Sequence, residues 1–171
     1  GILSSHIGYG LSVGVSDLNL DGYQDIYVSN DFGENDYLYI NQQNGTFEQK
    51  LETSIPHSSR FSMGNDIADI NNDGLNDIVT LDMLPSDEKV IKTSAGEDAF
   101  EIYEFKLRYG YHYQFARNSL QLNRGLDDDG NLMFSDIAPF AGVDATDWSW
   151  GPLLADFDND GYKDLFVTNG Y

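Results

Sequence analysis

The sequence predicts an all-β fold assembled from repeated four-stranded units, and three observations carry that expectation. One stretch occurs three times without a gap: SDLNLDGYQDIYVSN at 16–30, ADINNDGLNDIVTLD at 68–82 and ADFDNDGYKDLFVTN at 155–169. A second stretch, strand-like on either side of a turn-rich centre, occurs twice, as DYLYINQQNGTFEQ at 36–49 and NSLQLNRGLDDDGNLMFSD at 118–136. Between the Asn, Asp and Gly clusters the residues are mainly β-branched, aromatic and aliphatic, which suits strands.

The elements follow in order. In the first unit the apolar runs predict strands at 10–16, 25–30, 36–41 and 46–51, an acidic loop joining the first two and a hairpin turn the last two. Asp17 and Asp69 lie 52 residues apart, whereas Asp69 and Asp156 lie 87 apart, so the second unit has gained 35 residues. Asn41 and Asn123 mark the same place in the repeat, 24 residues after Asp17 and 54 after Asp69, so 30 of the extra residues lie between the second and third strands of the second unit. The other five lie after Asn123. A unit of about 50 residues with four short strands is the pattern of a β-propeller blade. The chain therefore predicts a partial β-propeller over 1–171, with repeat units at about 1–55, 56–143 (insertion 83–117) and 144–171, the last a half unit. Two and a half blades leave faces and strand edges uncovered, which predicts a fragment of a longer chain whose further blades cover both ends. A compact β-sandwich of the same strands is the alternative.

At 171 residues and 40% hydrophobic composition the chain suffices for one sizeable core. Twenty-nine acids against nine bases give a net charge of −20, which disfavours nucleic acid and anionic membrane surfaces and favours cations. With no cysteine there is no disulfide, thiolate metal site or thiol nucleophile. No apolar run approaches a membrane span. The opening GILSSHIGYG does not read as a signal peptide, an absence of little weight in a fragment.

Each acidic loop places Asp or Asn at positions one, three and five, Gly at six and Asp at nine. Alternate carboxylate and amide groups on a curling backbone aim into one small volume, the glycine permits the sharp turn, and position seven can offer its carbonyl. The expected ligands are Asp17, Asn19, Asp21, the carbonyl of Tyr23 and Asp25; Asp69, Asn71, Asp73, the carbonyl of Leu75 and Asp77; and Asp156, Asp158, Asp160, the carbonyl of Tyr162 and Asp164. Oxygen-only cages suit Ca2+ better than the smaller and stricter Mg2+, so three calcium sites are expected. A solvated acidic turn is the alternative for one loop; recurrence at one place in a repeat argues against it for three. An EF-hand needs a Glu at position twelve and flanking helices, but position twelve is Val28, Thr80 or Val167, within β-rich runs.

With these loops in place, the chain resembles the FG-GAP/VCBS-type repeat family, also found in the calcium-binding blades of integrin α-subunits. IGYGLSVGVSDLNLDGYQDIYVSNDF, RFSMGNDIADINNDGLNDIVTLDMLP, YHYQFARNSLQLNRG and GVDATDWSWGPLLADFDNDGYKDLFVTNGY are similar to the large VCBS repeat proteins of Bacteroidetes-type bacteria that often carry a UnbV-like C-terminal segment. The resemblance covers essentially the whole chain. It implies export to the outer surface or periplasm of a Gram-negative bacterium, more blades than are present here, and no established catalytic site.

The insertion, 83–117, holds five of the nine basic residues. Within GEDAFEIYEFKLRYG early acids, late Lys106 and Arg108, Gly110 as a C-cap and Phe100, Tyr103 and Leu107 at helical spacing predict a short helix capping one rim. Its aromatics, with Tyr109, Tyr111, Tyr113 and Phe115, read first as packing against the blades, with a platform for a sugar or peptide as the alternative. Trp148 and Trp150 share a strand face and could stack on a sugar ring or pack between blades. His6, His57 and His112 have no recognisable acid partner in the sequence, and Ser58 and Ser59 beside His57 do not make a triad. The expected function is non-enzymatic: a calcium-binding propeller segment of an exported surface protein that binds protein or glycan. The alternative is part of a polysaccharide-degrading enzyme using the insertion and the Trp pair as a cleft.

Overall fold

The computed structural model describes residues 8–94 and 99–170, and His6 lies outside them. Strands β1 (Tyr9–Ser16), β2 (Asp25–Asp31), β3 (Tyr37–Asn41) and β4 (Phe47–Gln49) form an antiparallel meander in the order β1-β2-β3-β4. Helix α1 (Leu51–Ser54) and strand β5 (Ser58–Ser59) lead into β6 (Gly64–Ala68) and β7 (Asp77–Leu81). The insertion supplies β8 (Met83–Leu84), α2 (Glu88–Ser94), α3 (Phe100–Arg108) and β9 (Gln114–Phe115). The second blade resumes with β10 (Ser119–Leu126) and β11 (Leu132–Asp136); α4 (Ala138–Ala141) then leads to β12 (Asp147–Ala155) and β13 (Asp164–Asn169), the paired strands of the third unit.

The second sheet has the order β11-β10-β7-β6, so β7 and β10 are direct neighbours although the insertion separates them in the chain. This is the blade order expected from the repeat. The sheets stand side by side with their first strands β1, β6 and β12 adjacent, and the core lies between sheets rather than beneath one. Leu18, Tyr27, Leu38, Ile40, Leu51 and Ile55 of the first unit meet Ile78, Leu132 and Phe134 of the second. The other face of the second blade, Val79, Leu81, Leu120 and Ala138, meets Leu154 with Leu165 and Val167 of the third. Strand β7 is therefore buried at every residue, as expected for a strand covered on both faces.

Close approach of the first strands explains one glycine. A Cβ on Gly64 would lie 2.3 Å from the carbonyl oxygen of Trp150, so only glycine lets these backbones meet. The register shifts between Gly10 and Ser12 and again between Ser149 and Gly151, at equivalent places in the repeat. That irregularity interrupts the simple alternation assumed for Trp148 and Trp150.

Several details differ from the sequence reading. The fourth strand is shorter than 46–51, because Leu51 turns into α1 and buries itself in the core between the first two blades. Asp87 accepts hydrogen bonds from the Lys89 and Val90 amides at the start of α2, a helix not foreseen. The head of the insertion joins the third sheet, Met83 pairing with Trp148 and Leu84 with Asp147. Its tail pairs in parallel with β5, Ser58 opposite Gln114 and Ser59 opposite Phe115.

The outer faces of the first and third units expose apolar side chains. Phe166 occupies the repeat position of the buried Tyr27 and Val79, yet is 53% exposed; Phe157, at the position of buried Leu18, is 54% exposed. At the other end Val13 and Val15 are exposed.

Candidate metal centre

Each acidic loop links the first strand of a unit to the second, and all three are folded by one hydrogen-bond mesh. In the first, Asp17 accepts the Asp21 and Gly22 amides at 3.1 and 2.8 Å, Asn19 accepts Asp21 at 3.2 Å, and Asp21 accepts Tyr23 at 2.9 Å. In the second, Asp69 accepts Asp73 and Gly74, Asn71 accepts Asp73, and Asp73 accepts Leu75. In the third, Asp156 accepts Asp160 and Gly161, Asp158 accepts Asp160, and Asp160 accepts Tyr162. Position six has positive φ in every loop, at Gly22, Gly74 and Gly161, which glycine adopts without steric cost. Position four is also left-handed, as Leu20, Asn72 and Asn159.

The position-nine carboxylates close the loops onto the sheets. Asp25 accepts the Leu18 and Asn41 amides, both at 2.9 Å. Asp77 accepts Ile70 at 3.0 Å and Asn123 at 2.8 Å, and Asp164 accepts Phe157 at 2.9 Å. Burial pushes the Asp25 and Asp77 carboxyls above their ordinary range, and the neighbouring loop aspartates push them further, against the pull of those amides. Such clusters favour a cation or protons. Asp21 is shifted the other way, chiefly by the hydrogen bond from the Gln43 side chain.

The donor chemistry fits a hard divalent ion: every donor in the three sets is a side-chain or backbone oxygen, and none is sulfur or imidazole. In the third loop carboxylate oxygens of Asp156, Asp158 and Asp164 lie within 4.8 Å of one another. Tyr23 and Tyr162 carry exposed side chains and Leu75 a half-buried one, so backbone carbonyls are what these positions can contribute.

Sequence comparison marked Asn41 and Asn123 as equivalent but did not show their task. The Asn123 side-chain amide donates to the carbonyl of Leu18 in the first loop at 2.9 Å and to that of Asn76 in the second at 3.0 Å. Asn76 in turn donates to the hydroxyl of Ser16 at 2.8 Å. Asn72 donates to the carbonyl of Gly161 in the third loop at 2.9 Å. Adjacent loops are thus joined across blades, a relationship sequence spacing cannot reveal.

The blades are also locked by buried acids. Asp36, fully buried, accepts the Asn30 amide at 2.8 Å and the Tyr27 and Ser62 hydroxyls, each at 2.7 Å. At the same repeat positions the second blade exchanges the two residue types: the Asp82 amide donates to Asn118 at 2.7 Å. Burial pushes the Asp36 carboxyl up to about 7 and Asp82 up to about 6, although hydrogen bonds to each oppose the rise.

His57 does have an acid partner. Its Nε2 lies 3.2 Å from Asp136 Oδ2, and Arg117 reaches the same carboxylate at 2.8 Å and the imidazole at 3.1 Å. Burial alone would raise the Asp136 carboxyl; the adjacent His57 imidazole, two backbone amides and the Arg117 charge hold it down at about 2. The pairing was invisible in sequence because Asp136 lies 79 positions beyond His57, with the insertion between them. The Ser58 and Ser59 hydroxyls are not hydrogen-bonded to the imidazole; Ser59 is held by Thr80 and the Arg117 carbonyl. His112 is a structural residue, its Nε2 2.8 Å from the Ile55 carbonyl oxygen.

The insertion helix ends as expected, with Gly110 at positive φ, its amide donating to Leu107 and the Tyr111 amide to Lys106. Its aromatic stripe packs on the rest of the chain only in part. No α3 side chain is fully buried, and Phe100, Phe105 and Tyr109 are exposed. Tyr103 stacks on Phe115, and Phe105 meets Tyr109 in a tilted pair with centroids 4.3 Å apart. Trp150 is exposed and Trp148 half-buried in the third unit; neither lines the groove beside α3 that holds Tyr111 and Tyr113.

The family model of the FG-GAP-like repeat matches residues 17–80, from the first aspartate of the first loop through the second loop into β7. The chain therefore carries an FG-GAP-type repeat. No curated protein matches the chain.

Proposed function

We propose that this chain is a calcium-stabilised, non-enzymatic propeller segment of an exported bacterial surface protein, presenting its insertion-bearing rim to a protein or glycan partner. The observation that carries the reading is the threefold recurrence of one oxygen-lined loop with one hydrogen-bond mesh. Three carboxylates converging within 4.8 Å in the third loop, on a chain of net charge −20, add to it. Similarity to large VCBS repeat proteins supports export, where calcium is abundant enough to fill sites of about 0.1–1 mM affinity. Exposed Phe157 and Phe166 at one end, and Val13 and Val15 at the other, support further blades of the parent chain covering both faces.

Calcium here would be structural, holding adjacent strands by binding the folded state and not the unfolded one. Ten-fold excess over the dissociation constant is worth about 1.4 kcal/mol per site. Thermal melts in 2 mM CaCl2 and in EDTA test this: a midpoint at least several degrees lower in EDTA is expected, and coincident midpoints reject structural calcium. A glycan-cleaving enzyme would need two carboxylates flanking the scissile bond, whereas among the described residues Glu52 is the only acid lining the groove beside the insertion.

A further inference from the structure

The tail of α3, the turn after it and the segment following α1 enclose an open groove of about 400 Å3, lined by Glu52, Pro56, Leu107, Tyr111, His112 and Tyr113, with Gly110 at its edge. Its floor is fixed before any ligand arrives. The His112 amide donates to Asn35 Oδ1 at 3.0 Å, the His112 ring is 2.8 Å from the Ile55 carbonyl oxygen, and the Ser58 amide donates to the Tyr113 carbonyl at 3.0 Å. The Schellman turn at Gly110 sets the direction in which Tyr111 leaves the helix. The walls nonetheless offer aromatic surface to solvent: Tyr113 is 51% exposed, and Tyr109, on the turn above, 70%.

The polar chemistry of the groove has one sign. Among the described residues Glu52 is its only acid and no lysine or arginine lines it, and burial drives His112 toward its neutral form. The His112 ring nitrogen facing Ile55 is already engaged, which leaves the Glu52 carboxylate, among the described lining residues, as the charged group open to a ligand, beside the rings of Tyr111 and Tyr113. One carboxylate beside tyrosine faces, on a chain of net charge −20, complements a single cationic group on an aliphatic stem.

We propose that this groove binds a lysine or arginine side chain presented by an extended segment of a basic partner protein. Glu52 accepts the charge-assisted hydrogen bond, Tyr111 and Tyr113 flank the stem and cation, and Pro56 and Leu107 supply apolar contact. This assignment rests on the reading of the insertion rim as a docking face and names its partner chemistry; it does not depend on the loops holding calcium.

The test is titration of acetyl-Gly-Lys-Gly-amide into the 15N-labelled chain, followed by amide shifts at 110–113, in parallel with the norleucine analogue and with maltotriose. Saturable shifts with the lysine peptide are expected, with binding weakened at least five-fold by norleucine, by Glu52→Gln and by Tyr113→Ala. Asp128→Asn, an equal charge change on the hairpin of the second blade, should leave the dissociation constant within two-fold. Absence of saturable shifts, equal weakening by Asp128→Asn, or preferential binding of maltotriose overturns the proposal. Repeating the titration in 2 mM CaCl2 and in EDTA separates it from the calcium reading, since a chain with an unchanged melting midpoint in EDTA can still bind the peptide.

Discussion

The side-chain amide of Asn123 sits 2.9 Å from the carbonyl oxygen of Leu18, a residue 105 positions earlier in the chain and in a different blade. Its second N–H reaches the Asn76 carbonyl, so one buried amide spans the loops of two blades. Truncation to Ala leaves two carbonyls without donors, one of them on a fully buried residue. Asn123→Ala should cost about 2–4 kcal/mol, read from urea unfolding. The equivalent Asn41 donates to the carbonyl of Gln24 alone, at an exposed site, so Asn41→Ala should cost less, by at least about 1 kcal/mol. Equal losses would show that bridging the blades adds nothing.

Leu20 holds a left-handed conformation, φ 58, at the loop position where the other two units place asparagine. Its side chain is 58% exposed, so little packing is lost on replacement. Left-handed backbone costs a β-carbon residue about 1–2 kcal/mol, less for asparagine. Leu20→Asn should therefore raise stability by roughly 0.5–1 kcal/mol, measured as a higher melting midpoint at fixed calcium; a fall would reverse the argument.

Asp36 gives a pH dependence of definite sign. Its folded carboxyl, at about 7, lies above the ordinary value of 3.8, so the folded state holds a proton that the unfolded state has already released. Its contribution to stability is complete below pH 3.8 and declines as pH rises toward about 7. Asp82, at about 6, acts in the same direction. Asp36→Asn installs the residue the second blade carries at this position, Asn118, and should flatten the fall in midpoint between pH 4 and 7 relative to the parent chain. Parallel curves for the two proteins would exclude Asp36 as the cause.

Asp136 works the other way. Held at about 2, it stabilises the fold above pH 3.8 and loses that contribution as pH falls toward 2. Asp136→Asn should destabilise the protein at pH 7, with a smaller deficit at pH 2.5. A deficit independent of pH would point to lost packing instead of the charged contact with Arg117.

Metal stoichiometry isolates the loops. Asp73→Ala removes a ligand-position carboxylate from the second loop while leaving those of the other two in place. In chromatographed protein assayed for bound metal, calcium should fall from three ions per chain to two. A count unchanged at three, or at zero in the parent chain, contradicts the ligand assignment.

Much of the fold could be read from sequence because a repeat carries its own controls. Aligning Asp17, Asp69 and Asp156 fixed the strand order, and comparing Asn41 with Asn123 placed the insertion between β7 and β10, as found. The loop glycines and the Gly110 cap were legible for the same reason, since each conformation is a local backbone requirement. Pairings that lie outside the repeat pattern left no such trace. Asp136 with His57, Met83 with Trp148 and Asn72 with Gly161 join residues whose spacing follows no period.

The sequence by itself determined the blade, its acidic loop and its copy number, because strand alternation, turn chemistry and ligand spacing are local properties repeated along the chain. Tertiary structure decided how blades meet: which faces bury Tyr27 and Val79 and leave Phe166 open, which amides bridge loops, and where the insertion leaves a groove beside Glu52. The physical reason is that burial and cross-blade hydrogen bonds depend on which surfaces approach one another, a property of relative placement that no single stretch of chain contains.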